Sequence, residues 1–104
     1  MINRRTAERI VPSQSVLVKE DTGEIINYYH LKDISEGGMY LLKKISSKTE
    51  KNSTYTFLVP GMMDDAITGE VYETRLDGNG TYGTAIKFAD PKEAGTLISA
   101  IKRL

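Results

Sequence analysis

Apolar and β-branched residues recur along the chain in short runs separated by polar clusters, and six of these runs predict β-strands: "IVPSQSVLVKE", "EIINYYHLKDI", "GGMYLLKKI", "TYTFLVP", "AITGEVYETRL" and "TYGTAIKFA". Between them lie strong turn signals. "DTGE" ends the first run, a Ser-Glu-Gly-Gly corner at 35–38 ends the second, and "SSKTEKNS" is a polar loop. Gly61 breaks the chain at "GMMDD", and "DGNG" at 77–80 reads as a tight turn. Short strands at this regular spacing imply an antiparallel sheet, and closing it into a barrel removes its exposed edges.

The period changes near the end of the chain. Asp90 is placed as an N-cap, Pro91 suits the first helical position, and Glu93 completes a spacing like that of a capping box. Ala94, Leu97, Ile98, Ile101 and Leu104 then recur at helical spacing, with Lys102 and Arg103 in the last turn, where the helix dipole favours cations. A helix this short is marginal alone, so its apolar stripe is expected to cover a face or opening of the barrel. The expected organisation of residues 1–104 is a single domain: a flexible segment at 1–9, a barrel at 10–89 and a C-terminal helix at 90–104.

At 104 residues the chain is long enough for one modest core. Its formal net charge of +0 gives it no overall field for nucleic acid or anionic lipid. Charge is nonetheless uneven: "MINRRTAER" sets Arg4, Arg5 and Arg9 against Glu8 alone. That is a local anion site in prospect and too small for a duplex-binding surface. There is no cysteine, which excludes thiol catalysis, disulfides and thiolate metal sites. No run has the length and apolarity of a membrane span or of a signal-peptide core, so a cytoplasmic protein is expected.

Catalytic groups are sparse, and no enzyme activity, metal or cofactor is expected. His30 sits in a strand-like run with neither a nucleophile nor a metal-ligand partner in sequence, and reads as structural or exposed. The adjacent Asp64 and Asp65 would point to opposite faces of a strand, and solvated turn residues are the plainer reading. "GNGTYG" satisfies G-x-G-x-x-G through Gly78, Gly80 and Gly83, but a strand follows where the dinucleotide motif requires a helix. The later motifs of a kinase are missing too. "DGNG" also lacks the third oxygen ligand and distal Glu of a calcium loop.

Two polar groupings remain. Arg5 and Arg9 are spaced R-x-x-x-R before the first strand. Guanidinium groups donate bidentately to phosphate oxygens or to the O6 and N7 edge of guanine, and their planes stack on bases. In "KDISEGGMYLL", Asp33 offers two acceptors to the parallel N1 and N2 donors of guanine, Ser35 can donate or accept, and Gly38 permits close approach to the backbone. Together these groups suit an anionic guanine nucleotide, although each half alone reads more simply as a solvated tail or a hydrogen-bonded turn.

In this order and at this separation, the two groupings resemble the signature of the PilZ domain family, receptors for the bacterial second messenger cyclic di-GMP. Arg5-Thr6-Ala7-Glu8-Arg9 is similar to the family's R-x-x-x-R, and Asp33-Ile34-Ser35-Glu36-Gly37-Gly38 matches its [DN]-x-S-x-x-G. The resemblance spans nearly the whole chain and implies a six-stranded antiparallel split β-barrel with one C-terminal helix. By resemblance, Arg5 and Arg9 would bind phosphates and guanine edges, Asp33 and Ser35 would fix a guanine, and Gly38 would keep the corner open. Arg4, just before the motif, could stack on a second guanine, which favours two ligand molecules per site. The implied role is a non-enzymatic switch that relays cyclic di-GMP to an effector protein, in pathways such as motility or biofilm formation. Two rivals are a nucleotide-independent adaptor with the same fold and a small barrel for single-stranded RNA. The intact signature opposes the first, and the neutral charge opposes the second.

Overall fold

The computed structural model describes residues 8–21, 26–43, 54–76 and 80–104. Among these residues there are six antiparallel strands: β1 (Leu17–Asp21), β2 (Ile26–Ile34), β3 (Gly38–Lys43), β4 (Thr54–Leu58), β5 (Ile67–Leu76) and β6 (Tyr82–Phe88). They close into a barrel in the order β1-β2-β3-β6-β5-β4. Closure is made where β1 meets β4 through the described pairs Lys19–Leu58 and Glu20–Phe57. The β3–β6 and β5–β6 ladders are longer, with six and seven paired positions, so the wall opposite the closure is the continuous part of the sheet.

Alternation along the strands sets the core. Val18, Tyr29, Leu31, Ile34, Met39, Leu41, Phe57, Ile67, Val71, Ile86 and Phe88 all point inward and are buried. Each such side chain contributes about 1.5–3 kcal/mol relative to leaving it in water. Tyr29 and Phe57 meet edge to face, with ring centroids 6.5 Å apart. Glu20 is buried among these residues, but it is not unpartnered: its Oε1 accepts from the Tyr29 hydroxyl at 2.8 Å and from Asn27 Nδ2 at 3.3 Å. A carboxylate is tolerated inside only with such partners.

Beyond β6 the chain makes a 3-10 turn at Pro91–Ala94 and then the helix α1 (Gly95–Lys102). Eight residues are too few for an isolated helix, which needs about 12–15. Its stability comes from Ala94, Leu97 and Ile101, all buried in the barrel's core cluster, with Ile98 packed partly against it.

Three local features differ from the expectations above. The first strand starts at Leu17 rather than Ile10, because Pro12 and the bend at 13–14 interrupt it, and Ile10 makes an isolated bridge to Ile34 instead. Asp90 does cap, but through the Lys92 amide at 3.0 Å, so the first turn is 3-10 and Glu93 turns away to accept from the Thr68 amide at 3.4 Å. Leu104 lies past the end of α1 and is 38% exposed, outside the stripe.

A candidate nucleotide groove on the outer wall

The Ile10–Ile34 bridge brings the arginine-bearing segment to the end of β2. Ile10 N donates to Ile34 O at 2.7 Å, and Ile34 N returns to Ile10 O at 3.0 Å. Arg9 and Asp33, each one residue before a bridge partner, are thereby set side by side. Arg9 Nε donates to Asp33 Oδ1 at 3.0 Å, and its terminal nitrogen reaches the same oxygen. Arg9 remains 44% exposed and Asp33 20%, so the pair adds at most about 1 kcal/mol to the fold and can be exchanged for other partners.

The corner at 35–38 is stitched to the neighbouring strand. Ser35 N donates to Gly38 O at 2.8 Å, and Phe88 N donates to Gly37 O at 2.9 Å. A Cβ on Gly38 would lie 2.2 Å from the Ile86 carbonyl oxygen, so only glycine lets β3 approach β6 this closely. Ser35 is buried to 6% exposure behind this corner.

Two β-bulges shape the surface beside it. The β2–β3 register shifts between Leu31 and Asp33, making Lys32 the extra residue, and the β5–β6 register shifts between Val71 and Glu73, making Tyr72 the extra residue. Both bulges fall at the level of one outer rung, Asp33–Tyr40–Ala85–Glu73, read across β2, β3, β6 and β5. A bulge puts two residues opposite one and bends its strand. Here Tyr40 and Ala85 form a floor, and Lys32, Asp33, Tyr72 and Glu73 rise at its sides. The result is an open groove of about 970 Å³, which Arg9, Ser35, Gly37, Gly38 and Arg75 also line.

Of the six residues the sequence nominates, Arg9, Asp33, Ser35 and Gly38 therefore line one groove, although the first is separated from the others by two dozen positions or more. Arg4 and Arg5 lie outside the described residues. The segment expected to be loose extends to residue 9, yet Arg9 itself is docked on Asp33, and residues 1–7 fall outside the description. Gly38, read as an opening for ligand, has its missing side chain occupied by the Ile86 carbonyl. His30 is exposed, with its Nδ1 3.3 Å from Ser15 Oγ, and Asp64 and Asp65 are exposed in a bend.

Sequence reasoning missed Lys32, Tyr40, Arg75 and Gly83. Lys32 carried no signal, because a bulge cannot be read from alternation. Gly83 falls in the last strand run of the sequence and lies within β6, as that run predicts, but its place under the Tyr40 ring carries no local signal. Among the described residues no three His, Cys, Asp or Glu side chains are grouped to hold a metal ion, and no helix is long and apolar enough to cross a membrane.

This barrel with its C-terminal helix is shared by proteins of solved structure. The PilZ domain of YcgR from Escherichia coli, solved with c-di-GMP, superposes with a TM-score of 0.70 at 16% identity, over 97% of this chain and 93% of that one. The Bacillus subtilis inhibitor of motility MotI/DgrA gives 0.70 at 15% identity over 98% of this chain, and the K. pneumonia MrkH–c-di-GMP complex gives 0.69 at 16% over 99%. The chain thus has the PilZ fold. It spans about half the length of the latter two proteins, at 52% and 51%. No family model matches the chain, and no curated protein matches it in sequence.

Proposed function

We propose that this chain is a cytoplasmic cyclic di-GMP receptor that binds the second messenger in the outer groove and relays it to a partner protein in control of motility or surface attachment. One observation carries the reading: Arg9 and Asp33, halves of two separate motifs, meet at the rim of a groove on a PilZ barrel. The Arg9–Asp33 pair holds each group in place for its role. When ligand enters, the Asp33 carboxylate exchanges the arginine for the N1 and N2 hydrogens of a guanine. Arg9 turns to a phosphate or to the O6 and N7 edge, joined by Arg5. Arg4 stacks on a second base, which allows two ligand molecules per site. Ser35 supports the guanine from the corner.

Charge-assisted hydrogen bonds contribute about 1.5–3 kcal/mol each. A handful of them reaches the roughly 8 kcal/mol of a micromolar complex after the cost of ordering the N-terminal segment. Exchange of the Arg9–Asp33 pair links ligand to residues 1–9, because Ile10 is bridged to Ile34 on the same strand end. A reshaped segment then offers a new surface to the effector. Similar folds include a protein described as an inhibitor of motility and another described as a transcription regulatory factor, which suits a relay without chemistry.

Calorimetric titration with cyclic di-GMP, against GTP and cyclic GMP as controls, tests the proposal. Saturable heat with cyclic di-GMP alone, at a stoichiometry of one or two, is the expected result. A flat titration with all three would leave the nucleotide-independent adaptor as the better reading.

A further inference from the structure

Beside the Arg9–Asp33 end of the groove lies a second constellation that neither motif contains. Tyr40 is the direct cross-strand partner of Asp33, so their side chains share the outer face at about 5 Å between Cβ atoms. The Tyr40 ring is laid across β6 over Gly83, where a Cβ would come within 1.8 Å of its hydroxyl oxygen and 2.4 Å of the adjoining ring carbon. Any side chain at 83 would push the ring off this seat. Two cations from opposite sides of the groove converge on the ring: Lys32 Nζ lies 5.3 Å from its centroid and Arg75 Cζ 5.6 Å. Arg75 Nε also donates to the Tyr40 hydroxyl at 3.2 Å, which fixes the ring in its plane, and Glu73 holds the other end of the guanidinium at 3.4 Å.

We propose that Lys32, Tyr40 and Arg75 form a second nucleotide subsite, with Tyr40 as the stacking platform for a purine base and the two cations as phosphate partners. The inference rests on the cyclic di-GMP reading and deepens it: the Arg9–Asp33 end takes the edge of one guanine, and the Tyr40 floor takes the face of the other. A preformed aromatic floor flanked by cations suits a base with an attached phosphate, because every base has a π-face and the cations complement the anion next to it. Lys32 is the exposed and extra residue of a bulge, so its ammonium can leave the ring for a phosphate without disturbing the ladder. The floor is rigid because β3 and β6 are paired along their length.

The test compares cyclic di-GMP binding by the wild type, Tyr40→Leu, Tyr40→Phe and Gly83→Ala, read by calorimetry and by the proton resonance of guanine H8. Amide spectra verify that each variant is folded. Tyr40→Leu is expected to weaken binding at least about tenfold and to abolish the upfield H8 shift that a stacked ring causes. Tyr40→Phe keeps the ring and recovers the H8 shift, with affinity about threefold below wild type for the lost Arg75 hydrogen bond. Gly83→Ala, which displaces the ring without touching ligand, should behave like Tyr40→Leu; if it does not fold, the Tyr40 pair alone decides. Wild-type affinity and an unmoved H8 resonance in Tyr40→Leu would overturn the platform while leaving the receptor reading in place. Absence of binding by the wild type would instead overturn the receptor reading and this inference with it.

Discussion

Two neighbouring rungs of the same four strands have opposite characters. The inner rung, Leu31–Leu41–Thr84–Thr74, packs apolar and β-branched groups into the barrel, with Leu41 and Thr84 almost fully buried. One step along, the outer rung Asp33–Tyr40–Ala85–Glu73 carries charge and an aromatic ring to solvent, and each edge of it is widened by a bulge residue, Lys32 or Tyr72. The inner rung is under the single demand of filling space. The outer rung is released from that demand, and the bulges give it two more side chains than a regular ladder would supply. Stability and recognition therefore sit back to back on one sheet, and substitutions can separate them.

The largest expected effect is on the inner rung. Leu41→Ala should lower stability by about 2–5 kcal/mol, a large share of the 5–15 kcal/mol typical of a small domain, measured by denaturant unfolding. Next, Gly38→Ala tests whether that motif glycine serves the fold or the ligand. Its new Cβ meets backbone that cannot step aside, so a loss of about 1–3 kcal/mol and a lower Tm are expected with no ligand present. An unchanged Tm would assign Gly38 to the ligand alone. On the outer rung the pattern reverses: Arg9→Ala should weaken cyclic di-GMP binding at least about tenfold, near 1.4 kcal/mol, while the loss of an exposed ion pair moves stability by at most about 1 kcal/mol. Asp90→Ala, remote from both rungs, removes a cap worth about 1 kcal/mol and should lower Tm slightly without altering binding.

The inner rung was legible in the sequence because alternation and apolarity report directly on burial, and six strand runs led to the barrel and its terminal helix. Boundaries were less legible. Pro12 and the bend after it detached residues 10–16 from the first strand, and Glu93 found a backbone donor in β5 that no local pattern announces. On the outer rung, only the residues belonging to a recognisable motif could be nominated. Lys32 and Tyr72 owe their placement to register shifts, and Arg75 reaches Tyr40 across 35 positions of sequence, a contact that exists only once β5, β6 and β3 are paired. Gly83 is legible as a strand residue, but its role is not, because its partner, the Tyr40 ring, meets it only once β3 and β6 are paired.

Mapping amide shifts while cyclic di-GMP is added to the full chain tests the division between the rungs most directly. The account predicts shifts concentrated at Arg9, at residues 32–40 and at the facing stretch of β5 and β6 around Tyr72 to Arg75 and Ala85, with β1 and β4 left almost unmoved. Perturbations centred on β1 and β4, or none at saturating ligand, would contradict it.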